Sequence, residues 1–264
     1  MPPRVRLDTL LADRGLFATR SRAAASVMAG EVRVGAEHRP AVKPGELVRD
    51  DIPVQLLPAP RYVSRGGVKL ANALEALGLT VAGRRALDVG ASTGGFTDCL
   101  LQAGVERVTC VDVGYGILDH GLRGDPRVTV LERSNARALT PAQLPCPPDL
   151  VVADVSFISL ATVLPAVVAC AAPRHDVLAL VKPQFEVGRD RVGSGGVVRD
   201  AGARRSALVA VGVAAQGLGE AVLGFVSSGL PGPKGNRESF VWLAEGARRG
   251  ARPDLEAAAR EVEP

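Results

Sequence analysis

The segments Ala86-Leu-Asp-Val-Gly-Ala-Ser-Thr-Gly-Gly-Phe96 and Gly235-Asn-Arg-Glu238 lie far apart in the chain and read as two halves of one site. In the first, a short apolar strand runs into a turn holding Gly90, Gly94 and Gly95. Such a turn lets a ligand press against bare backbone at the carboxyl end of a parallel strand. A dinucleotide site would present G-x-G-x-x-G. Here the spacing is G-x-x-x-G-G with Asp88 two residues ahead, a form that suits S-adenosylmethionine (SAM) better than NAD. Asp112 ends the next strand, roughly twenty residues on, where a carboxylate either holds ribose hydroxyls or forms the strand-end turn. Asn135, after the third strand, is placed for adenine-edge contacts or as a turn residue. Asp154 closes the apolar run Val151-Val-Ala-Asp154, and Lys182 closes Leu178-Ala-Leu-Val-Lys182. A lone lysine there would be a solvated edge; with Asp154 at the same rim, the two read as a charge cluster. Glu238, just before the last strand, can enter that rim, and Lys69 lies on a helix ahead of the first strand.

These positions need a sheet to carry them. Strands are expected at Arg85–Val89, Arg107–Val113, Val128–Leu131, Leu150–Asp154, Val177–Lys182, Gly224–Ser227 and Phe240–Ala244. Alanine- and leucine-rich stretches between them fit crossover helices, giving an α/β domain with a doubly wound, mostly parallel, seven-stranded sheet. The glycine-rich, charged stretch 189–200 reads as a mobile loop at the carboxyl edge, and the tail from Gly246 as a frayed helix. A break falls near Leu56-Leu-Pro-Ala-Pro60. Before it, Leu7, Leu10 and Leu11 share one helix face; Ala24, Val27 and Met28 share another, behind Thr19 or Ser21 as N-cap. Gly15 and Gly30 close these helices, and short strands follow at Glu31–Gly35, Glu46–Val48 and Ile52–Leu56. The expected organisation is a small α+β domain over 1–59, a linker over 60–64, the α/β domain over 65–246 and a tail over 247–264.

A chain of 264 residues with 47% hydrophobic content can bury one full α/β core plus a small extra domain. Its net charge of +4 admits an anionic partner, while 3% aromatic content argues against base-stacking platforms. Cys99, Cys110, Cys146 and Cys170 are widely spaced and form no C-x-x-C pair, so they read as reduced, mostly buried thiols. Met1-Pro-Pro-Arg-Val-Arg6 lacks the apolar stretch of a signal peptide. The longest apolar run, Leu160 to Pro173, contains a proline and is too short to span a bilayer. A soluble cytosolic protein is expected.

Five motifs occur in order: Ser64-Arg-Gly-x-x-Lys69-Leu, Leu87 to Phe96, Asp154-Val-Ser-Phe-Ile-Ser159, Lys182-Pro-Gln-Phe-Glu186 and Gly235-Asn-x-Glu238. Together they resemble the TlyA family, often named hemolysin A, whose methyltransferase domain is similar to that of the FtsJ/RrmJ ribose methyltransferases. The pattern Arg6-Leu-Asp-x-x-Leu, Arg14-Gly-Leu and Thr19-Arg-Ser-Arg-Ala resembles the small RNA-binding domain first seen in ribosomal protein S4. The resemblance covers nearly the whole chain. It implies an S4-like domain followed by a Rossmann-like SAM-dependent methyltransferase domain that 2′-O-methylates cytidine ribose in ribosomal RNA on ribosomal subunits. It calls for no metal, membrane or obligate protein partner. Carried over residue by residue, the family's Lys-Asp-Lys-Glu tetrad falls on Lys69, Asp154, Lys182 and Glu238. The cofactor site falls on Asp88, Gly90, Ser92, Thr93, Gly94, Gly95 and Phe96, joined by Asp112, Asn135 and Asp154. A complete amino-terminal unit implies the long form of the family, which methylates both subunits and is tied to capreomycin susceptibility. Two stretches depart from the pattern. Tyr62 stands where the linker tryptophan is usual, with Arg61 beside it, and Tyr115-Gly-Ile-Leu-Asp-His120 differs after the second strand. His120 is therefore not marked as functional, and His38 and His175 read as loop residues.

The residue types suit the implied reaction. A ribose 2′-hydroxyl is a weak acid and must lose its proton as it attacks the methyl group in line. A lysine can accept that proton only as a neutral amine, which burial and a second cation favour. Lys182 is expected as the general base, with Lys69 as the second cation and with Asp154 and Glu238 orienting the amines and the hydroxyl. The four should titrate as a coupled set. RNA affinity is expected from Arg4, Arg6, Arg14, Arg20, Arg22 and Lys43, with Arg65 near the catalytic mouth, and should be salt-sensitive. Three rival functions fare worse. The intact tetrad and glycine turn oppose a non-catalytic RNA-binding or assembly protein. The lack of a spanning helix or secretion signal opposes a pore-forming hemolysin. The basic amino-terminal unit and the tetrad oppose a SAM enzyme for small molecules.

Overall fold

The computed structural model describes residues 3–28, 30–58 and 60–264, in two compact units, Met1–Pro60 and Arg61–Pro264. The first unit runs β1 (Arg4–Arg6), α1 (Leu7–Asp13), α2 (Arg20–Met28), β2 (Val32–Val34), β3 (Arg39–Pro40), β4 (Leu47–Arg49) and β5 (Val54–Leu56). Leu7, Leu10 and Leu11 face inward and pack with Ala23, Val27, Val32 and Val34; each buried leucine contributes about 1.5–3 kcal/mol. The inward face of α2 differs from the expected one. Ala23, Ser26 and Val27 are buried, whereas Met28 is 80% exposed. Thr19 is the cap, its hydroxyl accepting the Arg22 N–H at 3.2 Å, and Met28 lies one residue past the buried stripe as the helix ends. Two strands carry no alternation to announce them. β1 pairs antiparallel with β4, and the two-residue β3, with its proline, lies at the edge of the β3-β2-β5 sheet.

The second unit runs α3 (Arg65–Leu77), β6 (Arg85–Val89), α4 (Gly95–Gln102), β7 (Arg107–Val111), α5 (His120–Arg123), β8 (Val128–Leu131), β9 (Leu150–Ala153), α6 (Leu160–Cys170), β10 (Asp176–Val181), α7 (Pro183–Glu186), α8 (Ala201–Gly217), β11 (Glu220–Ser227), β12 (Ser239–Glu245) and α9 (Leu255–Val262). The seven strands lie in the order β11-β12-β10-β9-β6-β7-β8. Pairings from β10 through β8 are parallel, and β12 alone runs against its neighbours on both sides. One apolar layer joins the sheet to α6, α8 and α9, the other to α3, α4 and α5. Strand order reverses between β6 and β9, which opens a crevice at their carboxyl ends. β11 begins at Glu220, before the expected Gly224, because its first residues precede a bulge at that glycine.

Four sequence expectations change here. The tail is not a frayed helix: Leu255, Ala258 and Ala259 of α9 are buried in the core with α8, and Glu263 is buried against Arg204. The stretch 189–200 is folded into short turns with a bridge between Gly193 and Val197. Tyr62 lies in the core of the second unit at 4% exposure, with the Arg61 guanidinium 5.0 Å from its ring centre. His175 is buried, its Nδ1 at 2.8 Å from the Ala172 carbonyl oxygen and its Nε2 at 2.8 Å from Glu220 Oε2. Cys99, Cys110 and Cys170 are buried free thiols, and Cys146 is half-buried. Among the described residues no helix is long and apolar enough to cross a membrane.

Candidate active site

The glycine turn is built by the chain's own packing. Gly90 has φ +82°, and a Cβ there would sit 2.7 Å from the Asp154 carbonyl oxygen. A Cβ on Gly95 would lie 2.1 Å from Ser64 Oγ. These glycines let the exits of β6 and β9 and the entry of α3 close on one another; the sequence suggested instead that they make room for a ligand. Ser92, at φ +50°, holds a strained turn in which its N–H donates to Asp112 Oδ2 at 2.8 Å.

Lys69, one turn into α3, donates from Nζ to Glu238 Oε2, and both side chains are buried. Lys182 follows β10. Its Nζ lies 2.6 Å from Asp154 Oδ1, off the hydrogen-bonding direction, and donates to Ser156 Oγ at 2.7 Å. All four charged residues line one cavity of about 370 Å³ with Ser64, Arg65, Asp88, Ser92, Thr93, Phe96 and Ser156. Each lysine thus meets its own carboxylate at the cavity wall. That pairing also weakens Lys69 as a cation acting on Lys182, since Glu238 neutralises it.

A second cavity, of about 390 Å³, shares Gly90, Ser92, Asp154 and Ser156 with the first and adds Asp112, Asn135, Val111, Ile158 and Val163. Asp112 Oδ1 also accepts the Gly114 N–H at 2.7 Å, so both its oxygens are already engaged while it lines the wall. Asn135 is both wall and turn residue, its Oδ1 accepting the Arg137 N–H at 3.1 Å. Gly94 lines neither cavity; Leu118 and Leu122 crowd its position. Asp88 is fully buried. Thr97 Oγ1 donates to its Oδ2 at 2.6 Å, while Oδ1 has no partner. Burial pushes the Asp88 carboxyl up to about 7, against the pull of the Thr97 bond.

The basic residues separate by what they touch. Arg6 and Arg20 reach the buried Asp8 at 2.8 and 3.1 Å and hold its carboxyl well below the usual range. Arg14 donates to the Ile52 carbonyl at 2.7 Å and to that of Asp50. Arg4, Arg22 and Lys43 are exposed and form no ion pair among the described residues. Arg65 donates to the Pro231 carbonyl at 2.6 Å at the cavity wall. Sequence reasoning missed Ser156, although it stands two residues past Asp154. It also missed Asn236, whose Oδ1 accepts the Val198 N–H at 2.9 Å and whose Nδ2 donates to the Gly196 carbonyl at 2.8 Å. Glu186 proves to be a cap for α6, accepting from Ser159 Oγ at 2.6 Å and the Leu160 N–H at 2.9 Å.

Sheet order, glycine turn and rim charges define an α/β methyltransferase, and the FtsJ-like methyltransferase model matches residues 62–245. The 16S/23S rRNA (cytidine-2′-O)-methyltransferase TlyA of Mycobacterium tuberculosis is 53% identical over 245 residues, covering 92% of this chain and 91% of that protein. The 23S rRNA (cytidine-2′-O)-methyltransferase TlyA of Campylobacter jejuni is 33% identical over 74% of this chain and 76% of its own. A solved structure of a hemolysin-named protein from Streptococcus thermophilus is 38% identical, with a TM-score of 0.74, covering 99% of this chain and 96% of that one. The chain belongs to the FtsJ-like methyltransferases and, within them, to the TlyA family.

Proposed function

We propose that the protein transfers a methyl group from SAM to the 2′-hydroxyl of a cytidine in ribosomal RNA, on both ribosomal subunits. The observation that carries this reading is the convergence of Lys69, Asp154, Lys182 and Glu238 on one cavity beside the glycine turn. The walls fit the cofactor. Asp88 Oδ1, a buried acceptor without a protein partner, suits an ammonium group. Asp112 suits ribose hydroxyls, and Val111, Ile158 and Val163 offer an apolar face for adenine. SAM supplies an electrophilic methyl group on a sulfonium. The protein's part is to remove a proton and hold the acceptor in line. Lys182, as the neutral amine, takes the 2′-hydroxyl proton at Nζ, with Asp154 beside it to stabilise the ammonium that forms. The buried Lys69–Glu238 pair fixes the far wall and orients the hydroxyl. General-base action contributes ~10²–10⁴-fold, and alignment much of the rest.

The amino-terminal unit is read as an S4-like RNA-docking domain, with Arg4, Arg22 and Lys43 free to meet phosphates and Arg65 at the mouth of the cavity. Action on both subunits draws support from the M. tuberculosis relative, named for 16S and 23S RNA, which aligns with 92% of this chain. The C. jejuni relative, named for 23S RNA, aligns with 74%. On this reading the enzyme works in the cytoplasm, and loss of its gene lowers capreomycin susceptibility. The test is methyl transfer from tritiated SAM to 30S and 50S subunits from a strain lacking the gene, with calorimetry for SAM. Wild type should label a cytidine 2′-oxygen in both. Lys182→Met should bind SAM normally but turn over ~10²–10⁴-fold more slowly. Absence of label in either subunit refutes the substrate reading, and near-normal turnover by the variant refutes the base assignment.

A further inference from the structure

We propose that Ser156 is a positioning residue that aims the lone pair of Lys182 at the acceptor hydroxyl; this rests on the reading of Lys182 as general base. A neutral lysine amine carries two N–H bonds and one lone pair, and its terminal torsion rotates freely. Unanchored, it offers the lone pair to any one hydroxyl only part of the time. Here two protein acceptors flank Nζ: Ser156 Oγ at 2.7 Å and Asp154 Oδ1 at 2.6 Å. Only the serine contact has hydrogen-bond alignment; the aspartate lies off the donor direction. Ser156 therefore sets the torsion, and Asp154 supplies the charge. With one N–H held on Ser156 Oγ, the terminal torsion is fixed and the lone pair keeps a set direction toward a proton arriving from outside the pair.

The location of Ser156 fits that role. It borders both cavities described above and a third, of about 350 Å³, lined by Phe157, Gln184, Phe185 and Lys234. Lys182 and Glu238 also line the third. Ser156 thus stands where a cofactor-side space and a separate space meet at the same amine. The next residue, Phe157, has φ +64° and is 91% exposed. A non-glycine residue held there costs roughly 1–3 kcal/mol, and the bend turns the chain sharply just past Ser156. The hydroxyl makes no other hydrogen bond among the described residues, and the residue is exposed. Removing the hydroxyl should disturb Lys182 and little else. The other charged groups around Lys182 are Lys69, Arg65, Asp88, Glu238 and Lys234, and none of them is altered by the substitution.

The experiment compares wild type, Ser156→Ala, Ser156→Thr and Lys182→Met in steady-state methylation of ribosomal subunits, alongside melting temperature and SAM affinity. Ser156→Ala should lower kcat by roughly ten- to a hundredfold, with KM for subunits, SAM affinity and melting temperature unchanged. Ser156→Thr, which keeps the hydroxyl, should restore most of kcat. If Lys182→Met is inactive while Ser156→Ala turns over at the wild-type rate, the positioning role is wrong and the base assignment stands. If Lys182→Met stays active, the base assignment fails and takes this inference with it. A change in KM in place of kcat, or no rescue by threonine, also overturns it.

Discussion

Replacing Arg204 by methionine removes the buried charge that pairs with Glu263 at the end of the carboxyl-terminal helix. Arg204 Nε and Nη2 both lie 2.8 Å from Glu263 Oε2, and the two side chains are 10% and 5% exposed. Its Nη1 also donates to the Arg199 carbonyl at 2.7 Å and the Val198 carbonyl at 3.3 Å. The single variant takes from the buried Glu263 its hydrogen-bonded cation, and breaking such a pair costs about 3–5 kcal/mol. Arg237, 3.9 Å from the same oxygen and well exposed, offsets part of this and favours the lower end. At roughly 2–4 °C per kcal/mol, melting should fall by about 6–20 °C. Adding Glu263→Leu removes the stranded charge and should recover most of the loss, because an apolar pair often replaces a buried ion pair at little cost. Activity should not recover with it. The Val198 and Arg199 carbonyls stay unheld, and Val198 is bonded to Asn236, two residues from Glu238. Scanning calorimetry of the three proteins decides the matter. A single variant melting within about 2 °C of wild type, or a double variant no more stable than the single, refutes the reasoning.

Because burial raises Asp88 to about 7, SAM binding at pH 6 should release protons, and affinity should climb by up to about tenfold per pH unit before levelling above pH 7. Calorimetry in two buffers of different ionisation enthalpy reads this, and no proton release at pH 6 would contradict it. The Glu220 carboxylate raises His175 against the opposing effect of burial. A raised folded value means that this stabilisation is complete below the ordinary histidine value near 6.5 and is lost as pH rises through the folded one. The melting temperature should therefore decline more steeply with pH above 6.5 in wild type than in His175→Gln; equal slopes would count against it. Arg22→Ala with Lys43→Ala should reduce the salt slope of subunit binding by about 2 at unchanged stability. Arg6→Ala, by contrast, should also lower stability, because it uncovers the buried Asp8. An unchanged slope in the double variant would remove those two residues from the RNA contact.

The central strands were legible because β9 and β10 are flanked on both sides by other strands and covered on both faces, which favours apolar runs such as Leu150–Ala153 and Val177–Val181. The rim charges followed, since a charge can end such a run only where the strand leaves the sheet. What stayed hidden depends on partners distant in sequence. Arg14 looks like a free cation until the fold brings it to carbonyls 36 and 38 residues away. α9 reads as a surface helix until Gly212 of α8 leaves room for Leu255, whose Cδ1 would lie 2.9 Å from a Cβ there. Gly90 and Gly95 could be read as permissive, but only the structure shows which atoms fill the space they leave. Ser156 is an ordinary turn residue until Lys182 arrives beside it.

The reversed direction of β12 makes the site intolerant of length changes in one connection. Asp154 and Lys182 reach the rim as strands leave the sheet, but Glu238 reaches it as a strand enters. Residues 228–238 are thus both the turn of the β11–β12 hairpin and the arm that carries a charged member of the cavity. Sliding β12 by one residue turns every side chain to the other face. Sliding it by two keeps the face but carries Glu238 about 7 Å along the strand, away from Lys69. The bulge at Gly224, which shifts the register of that hairpin, therefore acts as a ruler for the active site. Insertions in surface loops that line neither cavity change only the outline of the protein. A single residue gained or lost between Ser227 and Glu238 changes its chemistry.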